Sequence, residues 1–285
     1  MTGADFIHIP KYSHMCVTDL DETLLNAEHQ ISEPNLLALH KLGERGICRV
    51  AATGRSLFAV RKVIAETAPF DYIIFSTGAG IINWHTKTII LSRLIEQSYI
   101  EHTFKQLEKL KLDFMFHAPI PENHRFVAVR SAGLPDFERR ISYYEEYCVP
   151  LLNGKNLPWQ EGTQFLAIAE AGAEYLCPLL TDLLKPLHVV RTTSPLDHQS
   201  LWLEIFAPDV SKGSAVTFLR ETLGVQTDCL MVAGNDYNDE DMLHLTRHAY
   251  VTSNSPAELR SQFQVVSDYN EHGFSEAVDA WLSGF

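Results

Sequence analysis

The sequence is poor in the features of secreted and membrane proteins. It contains five cysteines, and no two of them form a C-x-x-C pair. Isolated cysteines such as Cys16 and Cys229, which lie in apolar runs, favour free thiols in a reducing compartment over disulfides or a zinc site. No apolar run reaches the length of a membrane span, and the first residues lack the basic start and apolar core of a signal peptide. We therefore expect a cytoplasmic protein that does not contact membranes.

The sequence also lacks an excess of basic residues. Lysine and arginine together number 23, aspartate and glutamate number 36, and the net charge is −13. This balance argues against nucleic-acid binding and against an anionic membrane surface. A small anionic substrate is still compatible with it, because a local cation can outweigh the field of the whole protein. No feature of the sequence indicates an oligomeric state.

What the sequence does contain is an alternation of apolar strands and helices at both ends. The predicted strands of the first third are MCVTDL, ICRVAATG and YIIFSTGAG, and the helices between them are SEPNLLALHKLGERG and SLFAVRKVIAET. The last third continues with the helix KGSAVTFLRETLG, the strand CLMVAG and the final helix FSEAVDAWL. Apolar strands that alternate with helices predict an α/β fold, a doubly wound, Rossmann-like parallel sheet with helices on both faces.

The middle of the chain has a different pattern. Here a helix followed by two strands occurs twice, first as SYIEHTFKQLEKL, LDFMFHA and RFVAVRS, then as EYLCPLLTDLLK, HVVRTTS and SLWLEIFA. Consecutive strands predict antiparallel pairing, which is not expected inside a doubly wound sheet. We therefore predict an α/β core formed by residues 1–85 and 208–285, and an inserted α+β domain formed by residues 86–207.

Two aspartates, Asp19 and Asp21, end the first predicted strand with a single leucine between them. Residues i and i+2 of a strand point to the same face, so the two carboxylates would repel each other. The pair therefore indicates a bound cation, or a reaction that gives the two carboxylates different tasks.

Three further polar groups follow predicted strands or begin predicted helices of the α/β part. In chain order they are Thr53 with Gly54 and Arg55, then Lys212, and finally the cluster of Asn235, Asp236 and Asp239. Open α/β sheets bind their ligands beyond the carboxyl ends of the strands. We therefore expect the groups to meet in one site.

In this order the four groups resemble the motifs of the haloacid dehalogenase superfamily of phosphohydrolases: D-x-D-x-T, a threonine after a strand, a lysine, and an acidic G-[DN]-x-x-x-D cluster. The insertion between the second and third motifs resembles the C2-type cap of the Cof-like sugar-phosphatase branch. The resemblance spans nearly the whole chain, and the order of the motifs is more specific than any one of them. It implies a phosphatase that hydrolyses a small phosphorylated metabolite, by expectation a sugar phosphate, through an aspartyl-phosphate intermediate.

The resemblance also implies a role for each core residue. Asp19 would be the nucleophile, and Asp21 would protonate the leaving oxygen and then take a proton from the attacking water. Thr53 would donate its hydroxyl to the phosphoryl oxygens, and Lys212 would neutralise charge on Asp19 and the phosphate. The implied cofactor is Mg²⁺, with ligands drawn from Asp19, the backbone carbonyl of Asp21, and the cluster of Asn235, Asp236 and Asp239.

Two positions depart from the family pattern. Glu22 stands where the first motif usually has glycine, and we expect a different surface turn with intact chemistry. Asn235 follows Gly234 where the fourth motif often has aspartate. Either Asn235 or the neighbouring Asp236 can therefore be the metal ligand, and Asp239 is expected to be a second ligand or to hold one.

Residues of the core and of the insertion are predicted to contact the substrate. They are Gly54, Arg55, Gly78, Arg125 and Glu204. Trp202 shares a strand face with Glu204, and an aromatic ring beside a carboxylate suits a sugar. Two other functions are open for the same motifs: a phosphomannomutase-like transfer of a phosphoryl group between sugar hydroxyls, and a non-catalytic protein that binds a phosphorylated metabolite.

Overall fold

The computed structural model describes residues 12–152 and 157–284, whose strands form two separate sheets. The larger sheet has eight strands. From one edge to the other they are β13 (Gln264–Val266), β12 (His248–Thr252), β11 (Leu230–Gly234), β1 (Met15–Thr18), β2 (Cys48–Ala52), β3 (Tyr72–Phe75), β4 (Gly80–Asn83) and β5 (Ile89–Ser92). The strands from β13 to β3 are parallel, and β4 and β5 are antiparallel to their neighbours. The predicted α/β fold with a parallel sheet is confirmed.

Helices cover both faces of this sheet. They are α1 (Glu33–Glu44), α2 (Leu57–Val63), α6 (Lys212–Leu223), α7 (Glu240–Leu243), α8 (Ala257–Arg260) and α9 (Gly273–Leu282). The first two and α9 pack on one face, and α6, α7 and α8 pack on the other. The central strands β1 and β11 are buried along their whole length, as a parallel sheet covered on both faces requires.

The smaller sheet has five antiparallel strands. In spatial order they are β7 (Phe126–Val129), β6 (Asp113–His117), β8 (Gln164–Ala169), β10 (Leu201–Phe206) and β9 (His188–Thr193). Helices α3 (Gln97–Lys109) and α5 (Leu176–Leu183) pack on one face of it. Helix α4 (Pro135–Tyr143) packs on the other face. This is the α+β insertion, with apolar cores of its own.

The predicted boundary of the insertion at residue 86 needs a correction. Strand β5 (Ile89–Ser92) pairs with β4 in the larger sheet, so the insertion begins after Ser92. The prediction placed the second half of the hairpin IINWHTKTIILS in the insertion, because antiparallel pairs are not expected inside a doubly wound sheet. An antiparallel pair is accommodated here because it lies at the edge of the sheet, where it does not interrupt the parallel strands.

All five cysteines are free thiols, with Cys16 and Cys48 buried and Cys229 half-buried. Among residues 12–152 and 157–284, no helix is long and apolar enough to cross a bilayer.

Glu22 has a backbone conformation that favours glycine. It lies in the turn Leu20–Leu24 after β1, with φ 54° and ψ 22°, in the left-handed region. Its carbonyl oxygen accepts hydrogen bonds from Asn254 Nδ2 at 3.3 Å and from Thr252 Oγ1 at 3.4 Å, while its side chain is exposed. These two bonds hold a conformation that costs free energy for any residue with a Cβ atom.

We expect Glu22→Gly to stabilise the protein by about 1 kcal/mol, because glycine adopts the left-handed region without steric cost. Urea unfolding of the two proteins measures the difference. Glu22→Gln removes the charge and keeps the Cβ atom, so it should leave the free energy of unfolding nearly unchanged. Equal effects of the two substitutions would show that charge, and not backbone strain, is responsible.

Asp113, at the start of β6, holds the turn that precedes α4. Its carboxylate is buried and accepts hydrogen bonds from the backbone N–H groups of residues 131–134 at 2.6 to 3.1 Å. Burial alone would raise the pKa of Asp113, but these hydrogen bonds outweigh burial and lower the pKa. The carboxylate therefore fixes the place where α4 begins.

We expect Asp113→Asn to destabilise the protein by about 2 kcal/mol near neutral pH, because the amide turns a donor toward N–H groups. A carboxylate with a depressed pKa stabilises the fold above its unfolded pKa of about 3.9 and loses this effect as the pH falls through its folded pKa. The difference from wild type should therefore shrink below about pH 4. Urea unfolding at several pH values measures it.

The matched control is Asp182→Asn, which removes an exposed carboxylate paired with Lys185. It should change the free energy of unfolding by less than about 0.5 kcal/mol. If the Asp113 variant behaves like this control, or if its effect does not depend on pH, Asp113 does not hold the turn.

Candidate active site

A buried lysine joins two carboxylates at the carboxyl ends of β1 and β11. The Lys212 ammonium donates to Asp19 Oδ1 at 2.7 Å and to Asp239 Oδ1 at 2.6 Å. The side chains are shielded from solvent, with exposures of 1% for Lys212, 7% for Asp19 and 0% for Asp239. Asp19 follows β1 and Asp239 follows β11, and the parallel pairing of these neighbouring strands brings both carboxylates to one edge of the sheet.

Negative charge exceeds positive charge in this cluster. Burial raises the pKa of Asp19 to about 8, Lys212 opposes the shift, and the carboxylates of Asp239 and Asp21 add to it. Burial disfavours the charged form of Lys212, but Asp19 and Asp239 outweigh burial and raise its pKa. Lys212 is therefore a permanent cation, and the carboxylates around it leave negative charge that a bound cation would neutralise.

Local structure places Lys212 at the first residue of α6. The side chain of Ser211 caps this helix, and Asp241 Oδ2 accepts a hydrogen bond from the Gly213 N–H at 2.9 Å. Gly78 has φ 97°, and a Cβ atom on it would lie 2.1 Å from the Ser211 carbonyl oxygen. The close approach of the turn after β3 to the start of α6 therefore requires glycine at this position.

Asp239 uses both of its carboxylate oxygens within the protein. Oδ1 accepts from Lys212, and Oδ2 accepts from the backbone N–H groups of Asn235 at 2.9 Å and Asp236 at 3.2 Å. Asp239 thus shapes the loop after β11 and holds the lysine. The sequence predicts Asp239 either as a metal ligand or as a residue that holds a metal ligand in place. This geometry favours the second role.

The second carboxylate of the first motif, Asp21, is held by Arg55. Arg55 Nε donates to Asp21 Oδ2 at 2.7 Å, and Nη2 donates to Oδ1. The Asp21 side chain is 40% exposed, so it lies toward the opening of the site and not on its buried floor. Thr53 is buried after β2, and its Oγ1 accepts from the Arg55 N–H at 3.1 Å. The threonine hydroxyl therefore keeps its own hydrogen for another acceptor.

The turn after β3 connects this core site to the insertion. Ser76 and Thr77 have φ values of 51° and 55°, an adjacent pair of non-glycine residues in the left-handed region. Ser76 Oγ accepts from Asn123 Nδ2 at 2.7 Å, and Thr77 Oγ1 donates to Glu204 Oε2 at 3.3 Å. Asn123 and Glu204 both belong to the insertion. The strained turn is therefore the place where the insertion meets the site.

Oxygen atoms around Asp19 fit a hard cation. The Asn235 amide oxygen accepts from Thr23 Oγ1 at 3.3 Å, so it faces the turn that carries Asp21. Asp236 uses Oδ1 to accept from the N–H of the next residue at 2.8 Å, and burial raises its pKa. In the described part of the chain, no three side chains of histidine, cysteine, aspartate or glutamate group as a metal site. A cation here would need the amide and backbone oxygens and several waters, as Mg²⁺ does.

The residues predicted to bind substrate are brought together only in part. Arg55 contacts Asp21, Gly54 is exposed beside it, and Glu204 reaches the core through Thr77. Arg125 is exposed at the start of β7, and its side chain has no hydrogen bond or ion pair with any residue of 12–152 and 157–284. Its role in substrate binding stays a prediction without a contact to support it.

Trp202 does not form the open platform expected for a sugar. It is 5% exposed and packs in the apolar cluster beneath α4. Its Nε1 donates to Asp136 Oδ2 at 2.7 Å, and the Arg140 guanidinium lies 4.6 Å from the centre of its ring. The ring face that was expected to receive substrate is therefore covered by an arginine.

Sequence reasoning missed Arg140 and the role of Thr77. Arg140 lies one turn after Asp136 and Phe137 and beside Ile141, which are all on the buried face of α4. The helical spacing of these residues was the available signal that Arg140 points inward. For Thr77 no such signal exists, because threonine has no preference for the left-handed conformation that aims its hydroxyl at Glu204.

Comparisons with known proteins identify the family of this chain. The family model for haloacid dehalogenase-like hydrolases matches residues 16–278. An HMP-PP phosphatase from Cronobacter sakazakii is 24% identical over 273 residues, which cover 93% of this chain and 94% of the relative.

Solved structures share the fold along nearly the whole chain. A phosphatase of the haloalkanoate superfamily from Bacteroides thetaiotaomicron has a TM-score of 0.79 at 20% identity, covering 98% of this chain and 97% of its own. A sugar phosphatase of subclass IIB has a TM-score of 0.73 at 17% identity, covering 94% of this chain and 98% of its own. Because the family model covers most of the chain, the protein belongs to the haloacid dehalogenase-like hydrolases, as its motifs and fold predicted.

Proposed function

We propose that the protein is a cytoplasmic, Mg²⁺-dependent phosphatase that hydrolyses a small phosphorylated metabolite, preferentially a sugar phosphate, through an aspartyl-phosphate intermediate. The observation that carries this proposal is the buried contact of Lys212 with Asp19 and Asp239. A carboxylate fixed beside a permanent cation, next to the hydroxyl of Thr53 on the neighbouring strand, is suited to attack phosphorus and to stabilise the charge that develops.

In this proposal one oxygen of Asp19 makes the attack. Lys212 holds Oδ1, and no residue in the described part of the chain donates a hydrogen bond to Oδ2. Oδ2 attacks the phosphorus, and the bond from phosphorus to the leaving oxygen breaks. Lys212 and the Thr53 hydroxyl stabilise the phosphoryl oxygens. Water then attacks the phosphorus of the aspartyl-phosphate, which releases phosphate and restores Asp19.

Asp21 moves the protons, and Arg55 controls when it does so. In this conformation Arg55 occupies both oxygens of Asp21. The phosphoryl group of a substrate offers Arg55 another set of anionic acceptors, so substrate binding draws Arg55 away from Asp21. Asp21, which is 40% exposed, then takes up a proton from solvent, donates it to the leaving oxygen, and later accepts one from the attacking water.

Asp19, the carbonyl of Asp21 and the side chain of Asn235 would hold Mg²⁺, with Asp236 as the alternative ligand to Asn235. When bound, the ion would neutralise charge on the phosphoryl group. Burial and the neighbouring carboxylates raise the pKa of Asp19, and a bound cation would favour its ionised form, which supports this assignment. So does the orientation of the Asn235 amide toward the first motif.

The insertion supports a small substrate. Asn123 and Glu204 contact the core turn beside the site, so a phosphate carried on a folded protein would have little room to enter. The relatives named as an HMP-PP phosphatase and a sugar phosphatase also point to small metabolites. Release of inorganic phosphate from a single sugar phosphate would separate hydrolysis from a mutase reaction and from binding without turnover.

We expect Asp19→Asn to reduce phosphate release by about 10³-fold or more, because the amide is not a nucleophile. The fold should persist, since Lys212 keeps Asp239 as its partner and burial of a neutral side chain is less costly. Malachite-green detection of phosphate and circular dichroism measure the two effects. Asp279→Asn, at an exposed surface ion pair with Lys41, should leave both unchanged. A folded Asp19 variant that retains activity would rule out the proposed mechanism.

We expect EDTA to abolish phosphate release and added Mg²⁺ to restore it. Asn235→Ala should raise the Mg²⁺ concentration needed for half-maximal activity by about 10-fold, as loss of a ligand or its support does, and Asp236→Asn should raise it less. The rise in melting temperature on adding Mg²⁺ gives a second readout that does not need turnover. A larger effect of Asp236→Asn would identify Asp236 as the metal ligand instead of Asn235. Full activity in EDTA would show that the reaction does not depend on a metal ion.

A further inference from the structure

The Arg140 guanidinium is partly buried, and its Nε has no hydrogen-bond partner among the described residues. No ion pair or hydrogen bond joins its side chain to any residue of 12–152 and 157–284. Its guanidinium contacts two aromatic rings, at 4.6 Å from the centre of Trp202 and 5.4 Å from that of Tyr144. Arginine carries five N–H donors, and buried donors are normally satisfied. The buried Nε–H group of Arg140 therefore needs an acceptor that residues 12–152 and 157–284 do not supply.

The structure holds Arg140 firmly in this place. The turn before α4 is bound by Asp113 through backbone hydrogen bonds. Asp136, one turn before Arg140 on the same helix, accepts from Trp202 Nε1 at 2.7 Å and from Ser194 Oγ at 3.0 Å. The N-terminal end of α4 is thus attached at two points to the rest of the insertion. A donor fixed in advance binds an acceptor with little loss of conformational entropy.

Arg140 lies between the two places where α4 and β10 approach the core. On one side is Glu204, which accepts from Thr77 Oγ1 and whose charge interacts with both Arg140 and Lys212. On the other side is Tyr144, whose ring lies over the Arg140 guanidinium and whose hydroxyl interacts electrostatically with Arg55. Arg140 therefore lies near the two residues, Glu204 and Tyr144, through which this part of the insertion interacts with the core site.

The charges around Arg140 decide which kind of acceptor fits. Glu204 and Asp136 both interact electrostatically with Arg140. A second phosphate or carboxylate on the substrate would have to approach these two acids, with one arginine to attract it. Neutral hydroxyl groups meet no such repulsion. A hydroxyl can accept from Arg140 and, through its own hydrogen, donate to Glu204.

We propose that Arg140 and Glu204 form the leaving-group subsite and select a neutral, polyhydroxylated leaving group, with Arg140 as donor and Glu204 as acceptor to its hydroxyls. This inference rests on the proposed phosphatase function and adds the residues that choose the substrate. It also assigns Trp202 a different part from the expected platform, because its ring supports the guanidinium and does not touch the sugar.

The test compares a substrate that has hydroxyls with one that has none. Arg140→Met keeps a side chain of similar length over Trp202 and removes all donors. We expect it to lower kcat/KM for an aldohexose 6-phosphate by at least about 10-fold, mainly through KM, and to change kcat/KM for p-nitrophenyl phosphate by less than about 2-fold. Arg139→Met is the matched control, because the neighbouring Arg139 is exposed and donates to the Leu196 carbonyl oxygen at 3.2 Å. Arg139→Met should leave kcat/KM unchanged for both substrates.

Equal losses on both substrates would show that Arg140 only supports the insertion, and would overturn the proposal. So would a wild-type preference for a phosphorylated carboxylic acid or bisphosphate that Arg140→Met removes, because the acceptor would then be an anion. For the hexose phosphate, the free-energy cost of the double variant, with Arg140→Met and Glu204→Gln, should be smaller than the sum of the costs of the two single substitutions. The reason is that both side chains contact the same ligand. Simple additivity would contradict a shared subsite.

A binding measurement separates this inference from the proposed function. The Asp19→Asn protein is titrated with the hexose 6-phosphate by calorimetry, with and without Arg140→Met. Binding that Arg140→Met weakens by about 10-fold supports the subsite even if wild type releases no phosphate, in which case only the proposed hydrolysis fails. If the Asp19→Asn protein does not bind the sugar phosphate, or if Arg140→Met binds it equally well, the subsite is wrong.

Discussion

The hydrogen bonds from Lys212 to Asp19 and Asp239 are the interaction on which the rest of the site depends. Buried ion pairs seldom stabilise a fold more than apolar packing would, so their presence here is better explained by what they position. Lys212 fixes one oxygen of Asp19 and leaves the other for chemistry. Through Asp239 it also fixes the loop after β11, where the cation ligands are proposed. One ammonium group thus sets the geometry of two motifs.

The core of this arrangement is predictable from the sequence. Asp19, Thr53 and Lys212 stand at ends of predicted strands or at the start of a predicted helix, and in a parallel sheet the carboxyl ends of the strands share one edge. Topology therefore turns positions far apart in the chain into neighbours. The sequence does not show how atoms are shared within the cluster. That Asp239 divides its oxygens between Lys212 and backbone N–H groups depends on distances of a few tenths of an ångström.

Other features resist prediction for identifiable physical reasons. Strand β5 has the antiparallel pattern of the insertion, and only its pairing with β4 assigns it to the larger sheet. Arg139 and Arg140 are adjacent and chemically identical, yet one is exposed and the other faces the interior, a difference set by the docking of α4. Ser76 and Thr77 adopt left-handed backbone against their own preference. Tertiary contacts with Asn123 and Glu204 override it.

The position of β1 in the middle of the larger sheet has a consequence for synthesis of the protein. One neighbour of β1 is β2, which follows soon after it in the chain, but the other is β11 (Leu230–Gly234). While the ribosome is still translating the insertion, one edge of β1, a fully buried strand, is without its partner. The insertion has a sheet and apolar cores of its own, so it can fold during this interval. A chain that is released before β11 emerges would expose an open strand edge, the kind of surface that aggregates or recruits chaperones.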